Sequence, residues 1–369
     1  MKRLLFLFLI TASFEACHKD DSSITGWNIL SCGEIISSLN SVFFTDKNTG
    51  YATGYNEGFA SETGYSAIGF ILKTTDGGNT WSSKRTNNES LDWLENVCFS
   101  NTNSGFILGY SPETGAILIK TIDCGSTWDP ITLDTARLLR LTSAYFTDSN
   151  TGYLTGYKNS VNGSEVYGTI LKTTDGGNSW SALNVTNPKG SFLNSICFPE
   201  ANTGYIAGQN FTSGSIYNGV FLKTTDAGAT WSNLSTTIQC AYKSIFFTDK
   251  STGFGVGETI IGTGESTLIK TTDGGISWNE VTLQDKHITL NSICFADANT
   301  GYAVGAKEYS SSGHINFCAA ILKTTDGGTS WKLTVLKNAG PLNSIQIFDK
   351  ETVYAVGKNG TIIKETTNL

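Results

Sequence analysis

A ten-residue string, Leu72-Lys73-Thr74-Thr75-Asp76-Gly77-Gly78-Asn79-Thr80-Trp81, returns five more times in this chain, ending on Trp128, Trp180, Trp231, Trp278 and Trp331. Successive copies lie 47 to 53 residues apart. A period of this length marks an array of supersecondary units, each able to bury its apolar face only against its neighbours. A second string, Leu39 to Gly54, precedes the first and begins again at Leu94, Leu141, Leu193, Tyr242, Leu290 and Leu342, which makes seven copies. It reads as a short apolar run, a polar turn of Asp, Asn and Gly, and a second short run, the pattern of a β-hairpin. The tryptophan string then adds a third strand, a tight turn and a fourth strand starting at Trp. One repeat is therefore one four-stranded antiparallel sheet.

The ends of the array fix the architecture. After the seventh hairpin the chain supplies only one more strand, at Gly360-Thr361-Ile362-Ile363-Lys364, so one is missing. Ahead of the first full repeat, Gly26-Trp27-Asn28-Ile29-Leu30 matches a Trp-started fourth strand such as Ser277-Trp278-Asn279-Glu280-Val281. The expectation is an all-β, seven-bladed β-propeller over residues 26–369, its last blade closed by the N-terminal strand, which removes exposed sheet edges. Composition agrees: 369 residues exceed what one compact core holds, and 40 glycines with few helix formers after residue 20 favour many short strands. A net charge of −7 with no Lys/Arg cluster after the first residues leaves no surface for nucleic acid.

Residues 1–16 read as an export signal, with Lys2 and Arg3 ahead of an apolar stretch, Leu4 to Ala12, too short to span a bilayer. Phe14-Glu15-Ala16-Cys17 resembles the lipobox of bacterial lipoproteins, which implies lipidation at Cys17. The tether 17–25 opens with His18-Lys19-Asp20-Asp21, similar to the export signal of surface lipoproteins in Bacteroidota. An outer-membrane location, with surface exposure and membrane contact through the lipid alone, is the expectation.

Each tryptophan string fits S/T-x-D-x-G-x-S/T-W and resembles the Asp box, or BNR repeat, of sialidases and related propellers. Its aspartates are Asp76, Asp123, Asp175, Asp226, Asp273 and Asp326. Such a side chain accepts hydrogen bonds from its own turn, glycine supplies positive φ, and the tryptophan packs between sheets. Six equivalent turns spread around a ring cannot converge on one substrate, so these residues are structural. Asp46 to Gly50 has the spacing that opens a calcium loop but lacks the later ligands, and reads as a polar turn. A sialidase would need an arginine triad from separate inner strands, whereas Arg85, Arg137 and Arg140 are the only arginines after the signal and sit in connectors.

Neither cysteines nor histidines supply obvious chemistry. Cys98, Cys197 and Cys294 share one offset on non-adjacent blades and read as packing residues, while Cys240 and Cys318 are close enough in the array to meet near blade six. His287 and His314 have no partners at ligand spacing, so no metal or other cofactor is expected.

Propeller topology places the first-to-second turns and the Asp-box turns on one uniform face. The second-to-third loops and the blade connectors go to the other, which carries nearly all the variation and reads as the binding surface. Its candidate contacts are Tyr65, Trp93, Tyr167, Phe211, Tyr217, Tyr309 and Phe317, with Asp92, Arg85, Arg137, Arg140 and His287.

Across nearly the whole exported part, the combined hairpin and Asp-box-like turn resembles the photosystem II stability and assembly factor family. That resemblance implies a non-enzymatic scaffold that binds other proteins. Photosynthetic members present an arginine-rich face, which this chain does not have. The function expected is a monomeric envelope scaffold binding a protein or carbohydrate. The alternative is a polysaccharide hydrolase resembling the Asp-box xyloglucanases, with a carboxylate pair drawn from Asp92, Glu113, Glu165, Asp285 and Glu308.

Overall fold

A computed structural model describes residues 26–366, apart from 58–66, 86–91, 134–138, 161–164, 185–189, 213–215, 235–237, 260–265, 286, 312 and 350–351. These residues form seven four-stranded antiparallel sheets and no helix. Blade one runs Ser38–Phe44, Gly50–Glu57, Ala67–Thr74 and Ser82–Arg85, and each later blade repeats that order. Blade seven takes Leu342–Asp349, Thr352–Gly357 and Ile362–Thr366 from the C-terminal end of the chain. Its fourth strand is Trp27–Leu30, with Trp27 paired to Glu365 and Leu30 to Ile362. The expected closure is present.

One detail differs from the sequence reading. In blades one to six the tryptophan stands just before the fourth strand, which begins at the next residue, as at Ser82 and Asp129. The indole packs between aromatic rings of adjacent blades instead: Trp128 is edge-on to Tyr51 of blade one and Phe99 of blade two, Trp180 is edge-on to Phe106 and Phe146, and Trp278 stacks on Phe221. Second strands are covered on both faces by neighbouring blades, so the stretch Gly50 to Gly54 is buried throughout. First strands of successive blades lie side by side around the axis. Inside, Phe43, Cys98, Tyr145, Cys197, Phe246, Cys294 and Gln346 share one level, with cysteines separating larger side chains in most of the circle, and the three cysteines are buried.

Neighbouring blades are also latched by polar groups. In blades one, three and seven a tyrosine of the second strand and a lysine of the third, cross-strand partners, reach the same carbonyl in the next blade's Asp-box turn. Tyr51 and Lys73 donate to Cys124 O at 2.6 and 2.6 Å, and Tyr153 and Lys172 to Ala227 O at 2.6 and 2.7 Å. Around the closure, Tyr354 and Lys364 of blade seven hold Gly77 O of blade one at 2.7 and 3.2 Å. Cys124 and Ala227 adopt positive φ, 55° and 54°, where the other turns use glycine. The following glycine is needed for space as well: a Cβ on Gly177, φ 78°, would stand 2.3 Å from the Phe106 ring.

Blade seven has no Asp-box turn to offer blade six. There the carboxylate of Glu365 takes over, accepting the Tyr302 hydroxyl and the Lys323 ammonium, the latter at 2.8 Å. Trp27 stands edge-on to Tyr302 at 6.1 Å, in the role of the box tryptophan. Cys240 and Cys318 are both free thiols, the first in the first strand of blade five and the second in the third strand of blade six.

Candidate functional site

The two faces are built by different rules. On the Asp-box face each turn consumes its own polar groups. Asp76 accepts the Thr74 hydroxyl at 2.8 Å, the Thr80 amide at 2.9 Å and the Thr80 hydroxyl at 2.6 Å. Hydrogen bonds from the Thr80 side chain and backbone, then from Thr74, push its pKa down to about 2. Asp123, Asp226, Asp273 and Asp326 are held down to about 2 in the same way, and Asp175 is lowered too. Each box turn then docks on the first-to-second turn of its own blade, as Gly77 N donates to Asn48 O at 2.9 Å. That hairpin turn is closed by Asp46, which accepts the Asn48 and Thr49 amides at 2.8 Å. Carboxylates engaged in this manner hold turns together and have no capacity left for a shared substrate.

On the opposite face the first strands all carry a one-residue bulge, at Asn40, Glu95, Thr142, Asn194, Lys243, Asn291 and Asn343. These residues ring the channel mouth. Where the bulge residue is Asn or Thr, it donates to the backbone of the next blade: Asn40 to Leu94 O at 2.9 Å, Thr142 to Leu193 O at 2.6 Å, Asn194 to Tyr242 O at 2.8 Å, Asn291 to Leu342 O at 2.8 Å and Asn343 to Leu39 O at 2.9 Å. Glu95 cannot donate, and the ring changes character there. Arg140 of blade three comes across to it at 2.7 Å, lies over the Tyr110 ring at 5.1 Å and bonds Tyr157. Burial works against the Arg140 charge, but Glu95 and Tyr157 outweigh it and the guanidinium pKa is raised.

Aromatic side chains continue on both sides of this pair. The residue after the last glycine of the second strand is Tyr55, Tyr110 and Tyr157 in blades one to three. In blades four to seven it is Gln209, Glu258, Ala306 and Lys358. Opposite these tyrosines, the first strands place Trp93 across from Tyr110 and Arg140 across from Tyr157. Tyr55 meets Trp93 at 6.5 Å, Trp93 meets Tyr110 at 6.3 Å, and Tyr157 meets Phe192 at 4.7 Å. All are half-buried. They form an aromatic crescent on the side of the mouth formed by blades one to four, and it surrounds a recess of about 400 Å³ lined by Tyr55, Trp93, Tyr110, Pro112, Glu95 and Arg140. Across the mouth, a recess of about 540 Å³ is lined by Asn291, Ala306, Ile315, Phe317, Asn343 and Lys358.

Of the contacts expected from sequence, Trp93 and Arg140 fall in the crescent. Phe317, 52 % exposed, lies on the long hairpin of blade six, Gly301–Ser311 with His314–Thr324, where Tyr309 is half-buried. Tyr167 and Phe211 are exposed on the hairpins of blades three and four, the Tyr167 hydroxyl bonding Glu165, and Tyr217 pairs by its backbone with Phe211. His287 is exposed in the connector to blade six. Two candidates lie elsewhere: Asp92 is buried rather than open to a partner, and Arg85 lies over Phe70 at 5.3 Å in a groove between blades one and two. Tyr65, Arg137 and Cys17 fall outside the described residues. Tyr55, Tyr110, Tyr157, Phe192 and Glu95 were missed by sequence reasoning, although the tyrosines share a fixed offset in the repeat.

Of the carboxylates considered for a hydrolase, Asp285 and Glu308 both lie beside the start of blade six, where Glu308 N donates to His287 O at 3.1 Å. Asp92 and Asp285 line separate grooves, and Glu165 is engaged by Tyr167. Asp285 is bonded by the Lys307 ammonium at 2.5 Å and the His287 amide at 3.0 Å, which outweigh its burial and lower its pKa. Among the described residues no group of three or more His, Cys, Asp or Glu could hold a metal ion.

Comparison with known proteins agrees with this architecture. The model of the photosynthesis system II assembly factor YCF48 family matches residues 21–139 and 128–241, more than half of the chain. The chain belongs to that family. A solved structure of YCF48 bound to D1 peptide is similar over 93 % of this chain and 96 % of its own, with 18 % identity and a TM-score of 0.66. YCF48 from Cyanidioschyzon merolae covers 92 % and 98 % at 17 % identity and a TM-score of 0.62. A protein of unknown function from Dyadobacter fermentans covers 93 % and 100 % at 14 % identity and a TM-score of 0.51. No curated protein sequence matches the chain. At these identities the solved structures speak for the propeller, and the crescent and the blade-six hairpin are properties of this chain's own residues.

Proposed function

We propose that this chain is a non-enzymatic scaffold of the cell envelope, tethered through a lipid on Cys17 to the outer membrane, that binds a protein partner on its variable face. One observation carries the reading. The Asp-box face spends its carboxylates on its own turns, whereas the variable face gathers an aromatic crescent and holds Phe211, Tyr167, Ile315 and Phe317 at its hairpins, each more than 40 % exposed. Tyr, Trp and Phe give large contact area at low entropic cost, and well-formed protein interfaces are enriched in them. Membership of the YCF48 family and the D1 peptide held by one structurally similar member support a protein ligand.

Site-specific photo-cross-linking in intact cells tests it. Cross-linkers at Tyr167, Phe211 and Phe317 should give a discrete adduct, and cross-linkers at Asn79, Asn178 and Thr329 on the other face should not. Adducts from both faces alike, or from neither, would sink the reading. Metabolic labelling with an alkynyl fatty acid should mark the wild type and leave Cys17→Ser unlabelled. A carbohydrate ligand is the second reading, favoured by the half-buried Trp93 and Tyr110 rings.

A further inference from the structure

We propose that the crescent at the mouth binds a proline-rich segment in the polyproline II conformation. This rests on the variable face binding a protein, and adds which chemistry of that protein is recognised.

The argument is one of donors and acceptors. In this recess Asn40 donates to Leu94 O, and Arg140 pairs with Glu95 Oε1 and also bonds Tyr157. Its central charges cancel, so no charged ligand is called for. What remains at the rim is aromatic. The Tyr55 and Tyr110 hydroxyls and the Trp93 indole N–H take no hydrogen-bond partner among the described residues. Burial, then Glu57 and Glu95, raise the Tyr55 pKa and keep its hydroxyl a donor.

A ligand complementary to this rim offers acceptors and flat apolar rings, and few donors of its own. Polyproline II matches on each count: it has no internal hydrogen bonds, its carbonyls stand free, proline has no N–H, and its pyrrolidine rings present apolar faces. Aromatic-lined grooves are the general solution for such segments because the ligand is stiff and loses little entropy on binding. The recess adds Pro112 as a wall beside Tyr110. Its volume of about 400 Å³ suits a few residues rather than a folded domain. A sugar stacks on similar rings as well, so neutral oligosaccharides are included in the test as the competing ligand.

Isothermal titration of the full-length chain in detergent with acetylated decaproline, and with a Gly-Ser decamer, is the test. Decaproline should bind at least about ten-fold more tightly than the flexible peptide. Trp93→Ala should weaken decaproline about ten-fold or more, and Tyr55→Phe, which removes one hydroxyl and leaves the ring, about three- to ten-fold. Ile276→Ser, 74 % exposed on the Asp-box face, should leave decaproline affinity unchanged. Equal binding of the two peptides, affinity unmoved by Tyr55→Phe, or neutral oligosaccharides binding in place of decaproline would each overturn the proposal. If decaproline fails while the variable-face adduct persists, only this inference falls; if the adduct itself is absent, the scaffold reading falls.

Discussion

Both faces of this ring are made from the same repeat, yet one closes on itself and the other stays open. At the Asp-box face, an aspartate, two hydroxyl residues and a glycine complete their mutual hydrogen bonds within eight residues, and copies differ little. At the mouth, the Asn and Thr bulge residues bond the backbone of a neighbouring blade, so one change propagates. Glu95 in place of an amide draws in Arg140, and that pair sits among Tyr110, Tyr157 and Trp93. The lesson is a division of labour: repetition within a turn secures the ring, and variation between blades is free to recognise something.

Several substitutions can break or sharpen that division. Trp27→Ala attacks closure and should cost most, about 3–5 kcal/mol for a fully buried indole, read by chemical denaturation. If it cost no more than a surface change, the ring would not depend on its N-terminal strand. Glu365→Ala leaves the Tyr302 hydroxyl and Lys323 ammonium without their acceptor and should cost about 2–3 kcal/mol, with unchanged adduct formation at the variable face. An equal loss of adduct would mean that ring and recognition are not separable.

Acid should loosen the Asp-box face. Because the folded pKa of Asp76 is about 2, below an unfolded value near 3.8, its contribution is fully present above the unfolded value. It is lost as pH falls through the folded one. The melting temperature should decline from about pH 4 to about pH 2, and Asp76→Asn should reduce that dependence. A melt insensitive to pH in this window would show the box bonds to be dispensable. The smallest effect is reserved for Phe211→Ser and Phe317→Ser. Each should change stability by no more than about 0.5 kcal/mol while lowering adduct yield.

How much of this was legible beforehand depended on distance along the chain. Blade number, strand order and the closing role of Gly26 to Leu30 could be read because each repeat carries its own turn chemistry and apolar alternation. The position of the box tryptophan was read one residue into a strand it only precedes, since the fourth strand starts where its partner strand can still pair. Asp92 looked like a surface acid because connectors are usually exposed, whereas its amide bonds Ala67 O and its side chain is buried. The Glu365 substitution for a missing turn had no sequence signal, since its partners are 63 and 42 residues away.

The sequence by itself determined the ring: hairpins and Asp-box turns are local, each satisfied by residues within a few positions, and seven hairpins with six boxes and a missing strand leave one closed solution. Only the tertiary structure decided what the mouth looks like. Arg140 and Glu95 are 45 residues apart, and the aromatic neighbours of that pair come from several blades. Which of them share a recess depends on bulge, register and twist between sheets, quantities that no single repeat encodes.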